Sequence, residues 1–208
     1  NHNSMKKVIV LLLFFITVSF DSQKPEAYDV GEWFKFRIHY GFINAGFATL
    51  EVKEAVKEHK KVYHVIGKGY TVGMSRFFFK VDDTYESYFD KVTNKPYQFV
   101  RKIDEGGYTK NKEILFNHNE KKAVVKNLKH NTIEDYPIPD EIQDLLSSMY
   151  YLRNQDLSKL KDGEEISIKM FFDQEINDFK LRMIGREIIK TKFGKFKTLM
   201  FRPLVQSG

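Results

Sequence analysis

The residues best suited to chemistry are three carboxylates, Asp82, Asp83 and Glu86, within the run FFFKVDDTYESYFD. In an extended strand successive side chains point to opposite faces, so Asp82 and Asp83 do not form a ready-made pair. Asp82 and Glu86 share a face, but four residues of strand separate them by about 13 Å. That is wider than the roughly 5–10 Å of a glycosidase pair. Asp83 falls on the face of Phe77, Phe79 and Tyr85, where a charge needs a partner, and Arg101 on the next strand is the candidate. A structural Asp83–Arg101 ion pair therefore outranks a catalytic acid.

Other reactive patterns are weaker. His59, His64, His118 and His130 lack ligand spacing. A zinc site needs three or four converging ligands, so no metal and no cofactor is expected. Ser147 and Ser148 sit in a helical pattern without a nucleophile elbow. Gly67-Lys68-Gly69 lies inside a strand and opens no helix, so it is not a phosphate loop. The chain has no cysteine, which excludes disulfides, thiolate metal sites and a lipid-modified N-terminus.

Aromatic wealth remains: 19 Phe and 11 Tyr, several of them consecutive, as in Phe77-Phe78-Phe79. The candidate apolar interior comprises Phe36, Ile38, Phe77, Phe79, Tyr85, Leu145 and Met149. A packed core is the default in a small barrel. The alternative is a cavity or groove for a lipid or other amphiphile.

Strands must position these residues. Residues 32–40 alternate strictly, with Phe34, Phe36, Ile38 and Tyr40 on one face and Lys35, Arg37 and His39 on the other. A turn to Gly46 leads to a second alternating strand, making a hairpin. Further strands are predicted at 61–72, 77–89, 97–103, 108–116, 122–128, 165–172, 178–190 and 195–202. Asp140 and Gln143 form a predicted capping box, and Ile142, Leu145, Leu146 and Met149 follow at helical spacing. The fold class is mostly β: a strongly curled antiparallel sheet, either a β-spiral or an open barrel, with one inserted α-helix near 140–153. The chain stops at Gly208 straight after a strand, so continuation of the domain beyond it is expected.

The beginning of the chain suggests an address. Met5 is followed by Lys6 and Lys7, then by the apolar run VIVLLLFFITVSF from Val8 to Phe20. This reads as a signal peptide over 5–22, followed by a single β-rich domain over 23–208. The run is short for a membrane span, so the mature protein is not expected to cross a membrane. The formal charge of +6 falls to +5 when Lys6, Lys7 and Asp21 leave with the signal. Basic and acidic residues are interspersed, so no nucleic-acid partner is expected.

The segment GEWFKFRIHYGFINAGFATLEV, with Gly31-Glu32, Tyr40-Gly41 and Ala45-Gly46, resembles the opening signature of an exported family, domain of unknown function 3108. FFFKVDDTYESYFD with KPYQFVRKIDEGGY is similar to the middle hairpin of that family, and PDEIQDLLSSMYYLRN to its helix. The resemblance implies a protein exported to the periplasm or envelope of a Gram-negative bacterium, and it brings no enzyme activity. The expected role is non-catalytic binding of an apolar ligand, lipid or envelope protein partner. The alternatives are a structural or interaction module for envelope integrity, and an unrecognised envelope hydrolase.

Overall fold

A computed structural model describes residues 27–191 and 193–204. The signal peptide expected at 5–22 lies outside the described residues. Eleven strands and two helices are described: β1 (Trp33–Tyr40), β2 (Ile43–Lys57), β3 (Lys60–Thr71), α1 (Gly73–Phe78), β4 (Asp82–Asp90), β5 (Pro96–Glu105), β6 (Tyr108–Asn117), β7 (Lys122–Asn127), β8 (Thr132–Pro137), α2 (Leu145–Arg153), β9 (Glu165–Phe172), β10 (Glu175–Thr191) and β11 (Gly194–Leu204).

Strands β1 to β8 form one antiparallel sheet in sequence order, and β9 to β11 form a second sheet ordered β11-β10-β9. The division into two sheets corrects the single curled sheet read from the sequence. Neither sheet closes on itself among the described residues.

The connections are short because their residues accept positive φ. Glu58 and His59 (φ 49° and 63°) join β2 to β3, and Asp173 and Gln174 (φ 48° and 72°) join β9 to β10. Both are two-residue hairpin loops, whose left-handed backbone matches the twist of the flanking strands.

One face of the large sheet carries the core. Val52, Tyr63, Val65, Phe89, Phe99, Ile114, Phe116, Ala123 and Val125 pack there with Ile142, Leu146 and Tyr150 from the α2 region and Phe171 from β9. We call this the inner face. Helix α2 lies close to it because β3 offers a glycine beneath: a Cβ on Gly67 would meet Leu146 Cδ2 at 3.4 Å and Leu50 Cδ2 at 3.3 Å. The chain entering α2 is stitched to β9 by bonds from Gln143 N to Lys169 O (2.9 Å) and from Phe171 N to Gln143 O (2.8 Å).

Four further sequence readings are corrected. The cap of α2 is Asp144, not Asp140: its Oδ1 accepts from Leu146 N and Ser147 N, and Ser147 Oγ accepts from Asp144 N. The box is thus shifted four residues along and uses serine in place of glutamine. The strand predicted over 77–89 begins only at Asp82. Gly73, at φ +55°, turns the chain out of β3 into the short helix α1, and Phe79 is already beyond that helix. The described residues therefore form two helices rather than one. Strand β8 (TIEDYP) carries little buried surface, and its weak apolar pattern hid it in the sequence.

Candidate ligand groove on the inner face

The register defines what the inner face presents. One row runs Phe34, Leu50, Gly67, Tyr85, Arg101, Lys112 and Asn127 across β1 to β7. The adjacent row, farther from α2, runs Phe36, Ala48, Gly69 and Asp83 across β1 to β4 and continues through Ile103 and Lys110. Ile38 and Gly46 begin the next. Helix α2 and Phe171 cover the half of this face nearer the Glu58-His59 turn, and the other half is open on its β1 to β3 side, while Asp83 and Ile103 are buried.

The open half has two characters. On the β1 side its wall is Phe36 and Ile38, each half exposed, with Phe34 stacked on Phe36 at 5.9 Å between ring centres. Its floor is Ala48 and Gly69, and a Cβ placed on Gly69 meets nothing within 4 Å. The guanidinium of Arg153, at the end of α2, lies 5.6 Å from the Phe34 ring and pairs with Glu32 at 2.6 and 2.7 Å. On the other side, Arg101, Lys110 and Lys112 receive the β9–β10 turn. Arg101 Nη1 donates to Asp173 Oδ1 at 2.5 Å, Lys110 Nζ to the same oxygen at 3.2 Å, and Lys112 Nζ to Gln174 Oε1 at 2.6 Å. Arg101 also lies over the Phe172 ring at 4.6 Å, and its Nε is buried with no protein acceptor.

The predicted Asp83–Arg101 pair is not formed. Register places Arg101 opposite Tyr85, two residues along the strand from Asp83, and Asp173 takes the guanidinium. Asp83 is buried and its Oδ1 accepts from Asp104 N at 3.2 Å. Burial raises its pKa, the amide of Asp104 opposes that rise, and the neighbouring Glu105 carboxyl adds to it.

The predicted apolar interior is also revised. Tyr85 and Leu145 are partly buried against the core. Phe36, Ile38 and Met149 are about half exposed, and Phe77 and Phe79 are more exposed still. The reasons are positional: Phe36 and Ile38 lie on the edge strand beyond the reach of α2, and Phe77 and Phe79 belong to the α1 turn. Met149 points off the exposed side of α2.

The remaining chemical candidates are engaged elsewhere. Asp82 pairs with Arg76 at 2.6 Å, and Glu86 accepts from Tyr88 at 3.2 Å and lies 2.8 Å from His64 Nε2. Ser87 and Ser147 converge on Asp144, a site without histidine and closed to solvent. Among the described residues no group of three or more His, Asp or Glu could hold a metal ion. A cleft of about 630 Å³ near Lys57, Asp90, Tyr97 and His118 has a mixed lining that includes Leu115, Phe116 and Val124. Its Asp90 is already bonded to Val92 N, Thr93 N and Tyr97, and His118 Nε2 lies 2.8 Å from the carbonyl of Pro96.

Missing from the sequence reading were Lys110, Lys112 and Asp173. Asp173 is more than sixty positions from both lysines and meets this cluster only because the β9–β10 turn drops onto β5 and β6. The Asp173-Gln174 turn itself was a readable signal.

Fold and groove together define an antiparallel two-sheet protein with a half-covered amphipathic face. The family described as protein of unknown function, DUF3108, matches residues 35–208, and the chain belongs to that family. No curated protein and no solved structure matches the chain.

Proposed function

We propose that this protein binds an amphiphile, non-catalytically, in the cell envelope after export. The observation that carries the reading is the open half of the inner face, where Phe34, Phe36 and Ile38 stand exposed beside a floor that lacks side chains at Gly69. Binding sites combine apolar walls with a few fixed polar groups. The apolar part of the ligand lies along the β1 wall, and its polar end points toward the partly exposed Lys110 beside the β9–β10 turn. Residues of β2 to β7 gather into one cluster around α2, so the large sheet presents a single apolar face to the ligand.

The experiment is native mass spectrometry, with lipid extraction, on the full-length protein recovered from its own envelope. A co-purifying amphiphile is expected, and its absence from freshly isolated protein overturns the reading.

A second reading, a protein-interaction module, draws on a different feature. Beyond Arg182, β10 and β11 continue as a two-stranded ribbon without β9. That ribbon exposes Ile184, Ile188, Ile189, Phe196 and Leu199, beside a shallow groove of about 540 Å³. Exposed apolar patches of this kind commonly mark interaction sites. Recovery of a stoichiometric protein in place of an amphiphile favours it.

A further inference from the structure

The end of the large sheet remote from the Glu58-His59 turn carries an apolar rim that the fold does not use. Phe42, at the β1–β2 turn, is 100% exposed. On α1, Met74, Phe77 and Phe78 are 74%, 86% and 77% exposed, and no residue of that helix is buried. The two pieces are adjacent in the sheet: Val72 N donates to Ala45 O at 3.1 Å, just inside the Phe42 turn. The β5–β6 turn joins the same end, where Gly106 N donates to Lys80 O at 2.8 Å. Gly106 leaves room for Phe79, whose ring a Cβ there would meet at 3.0 Å, and Tyr108 completes the rim.

We propose that this rim docks on an anionic lipid bilayer, with the side chains of Phe42, Met74, Phe77 and Phe78 entering the headgroup region. Three features favour a lipid surface over a protein. The apolar groups stand out from one turn tip, Phe42, and from one short helix, α1, as convex projections, which suits a fluid surface without fixed shape. The shortest helix is held by its own ion pairs, Arg76 to Asp82 and Lys80 to Asp104, so the apolar groups project without an unpaired charge at α1. The segments leading to the rim are cationic: residues 35–39, 68–83 and 102–110 hold seven Lys or Arg against four carboxylates. Such an excess is attracted to anionic headgroups within a Debye length. The inference is independent of the groove, since the rim lies beyond it.

The test uses the full chain and vesicles of phosphatidylethanolamine and phosphatidylglycerol. Trp33 is the only tryptophan, so Trp33→Phe with Phe42→Trp places a single reporter at the rim. Its emission should shift to the blue on vesicles and be quenched by lipids brominated in their acyl chains. Phe77→Ser with Phe78→Ser should lower partitioning at least tenfold while circular dichroism stays unchanged, because α1 buries nothing. Rising salt should weaken binding further. A reporter as open to aqueous acrylamide with vesicles as without overturns the proposal, even if the protein floats with them through residues 8–20. So does equal partitioning of the Ser variant, and so does absence of flotation, which leaves the rim to a protein partner.

Discussion

Ser87, at the centre of β4, donates its hydroxyl proton to Asp144 Oδ2 at 2.6 Å, so the cap of α2 is fastened to the floor of the large sheet. Both residues are fully buried. Asp144 thus does two things at once: it closes the first turn of the helix and fixes where that helix sits.

This arrangement makes stability depend on pH. Desolvation raises the Asp144 pKa from 3.8 to about 6, although bonds from Ser87, Ser147 and Leu146 oppose the rise. A raised acid favours folding most when protonated, so its contribution is complete below pH 3.8 and is lost as pH climbs through about 6. Asp144→Asn keeps a capping oxygen without the charge. The stability of the native protein relative to this variant should fall by on the order of 3 kcal/mol between pH 3.5 and pH 7. Urea unfolding at the two pH values measures it, and a constant difference refutes the assignment.

Two glycines should respond oppositely to the same change. A Cβ on Gly46 would sit 2.3 Å from the carbonyl oxygen of Tyr70, which is backbone and cannot step aside. Gly46→Ala should destabilise by about 1–3 kcal/mol. Gly69 has open space and an ordinary φ, so Gly69→Ala should stabilise by about 0.5–1 kcal/mol by restricting the unfolded chain. Thermal denaturation of the pair decides the matter.

Gly69 also separates stability from binding. Gly69→Trp should fill the groove floor and abolish recovery of a bound amphiphile while the protein stays folded. Phe36→Asp should do the same from the wall. Native mass spectrometry of the two variants beside the parent reads the outcome, and retention of ligand by both sinks the groove as the binding site.

The β9–β10 turn is held to the large sheet through Arg101. Asp173→Ala should cost about 1–2 kcal/mol, because it strands a mostly buried guanidinium. Arg101→Met should cost less, since the side chain keeps its packing against Phe172 and leaves Lys110 to meet Asp173. A double-mutant cycle by denaturant unfolding should give a coupling larger than the few tenths of a kcal/mol usual for exposed pairs.

Much of the strand order could be read from alternation. Strands β1, β6, β7 and β9 fall within a residue or two of where alternation and turn residues place them, whereas β2 begins at Ile43, inside the segment to Gly46 read as a turn. What failed depended on register or on cover. Asp83 and Arg101 lie on neighbouring strands and on the same face, as read, but an offset of two residues leaves Arg101 to Asp173. Phe36 and Ile38 alternate like core residues, but they sit on the edge strand, outside the cluster packed around α2. Phe77-Phe78-Phe79 satisfies a strand pattern and also places Met74, Phe77 and Phe78 at helical spacing, and Gly73 decides between them.

The stitching of Gln143 to β9 has a consequence for the order of events as the chain folds. Strands β1 to β8 each pair with the next, so the meander can grow by local steps, which favours speed. Its apolar face stays wet until α2 and Phe171 arrive, because these come from beyond β8 in the chain. A chain arrested before residue 171 would therefore present a formed sheet with an unsealed face. In such a chain, arrival of the last segment of β9 would be the step that ends this exposure.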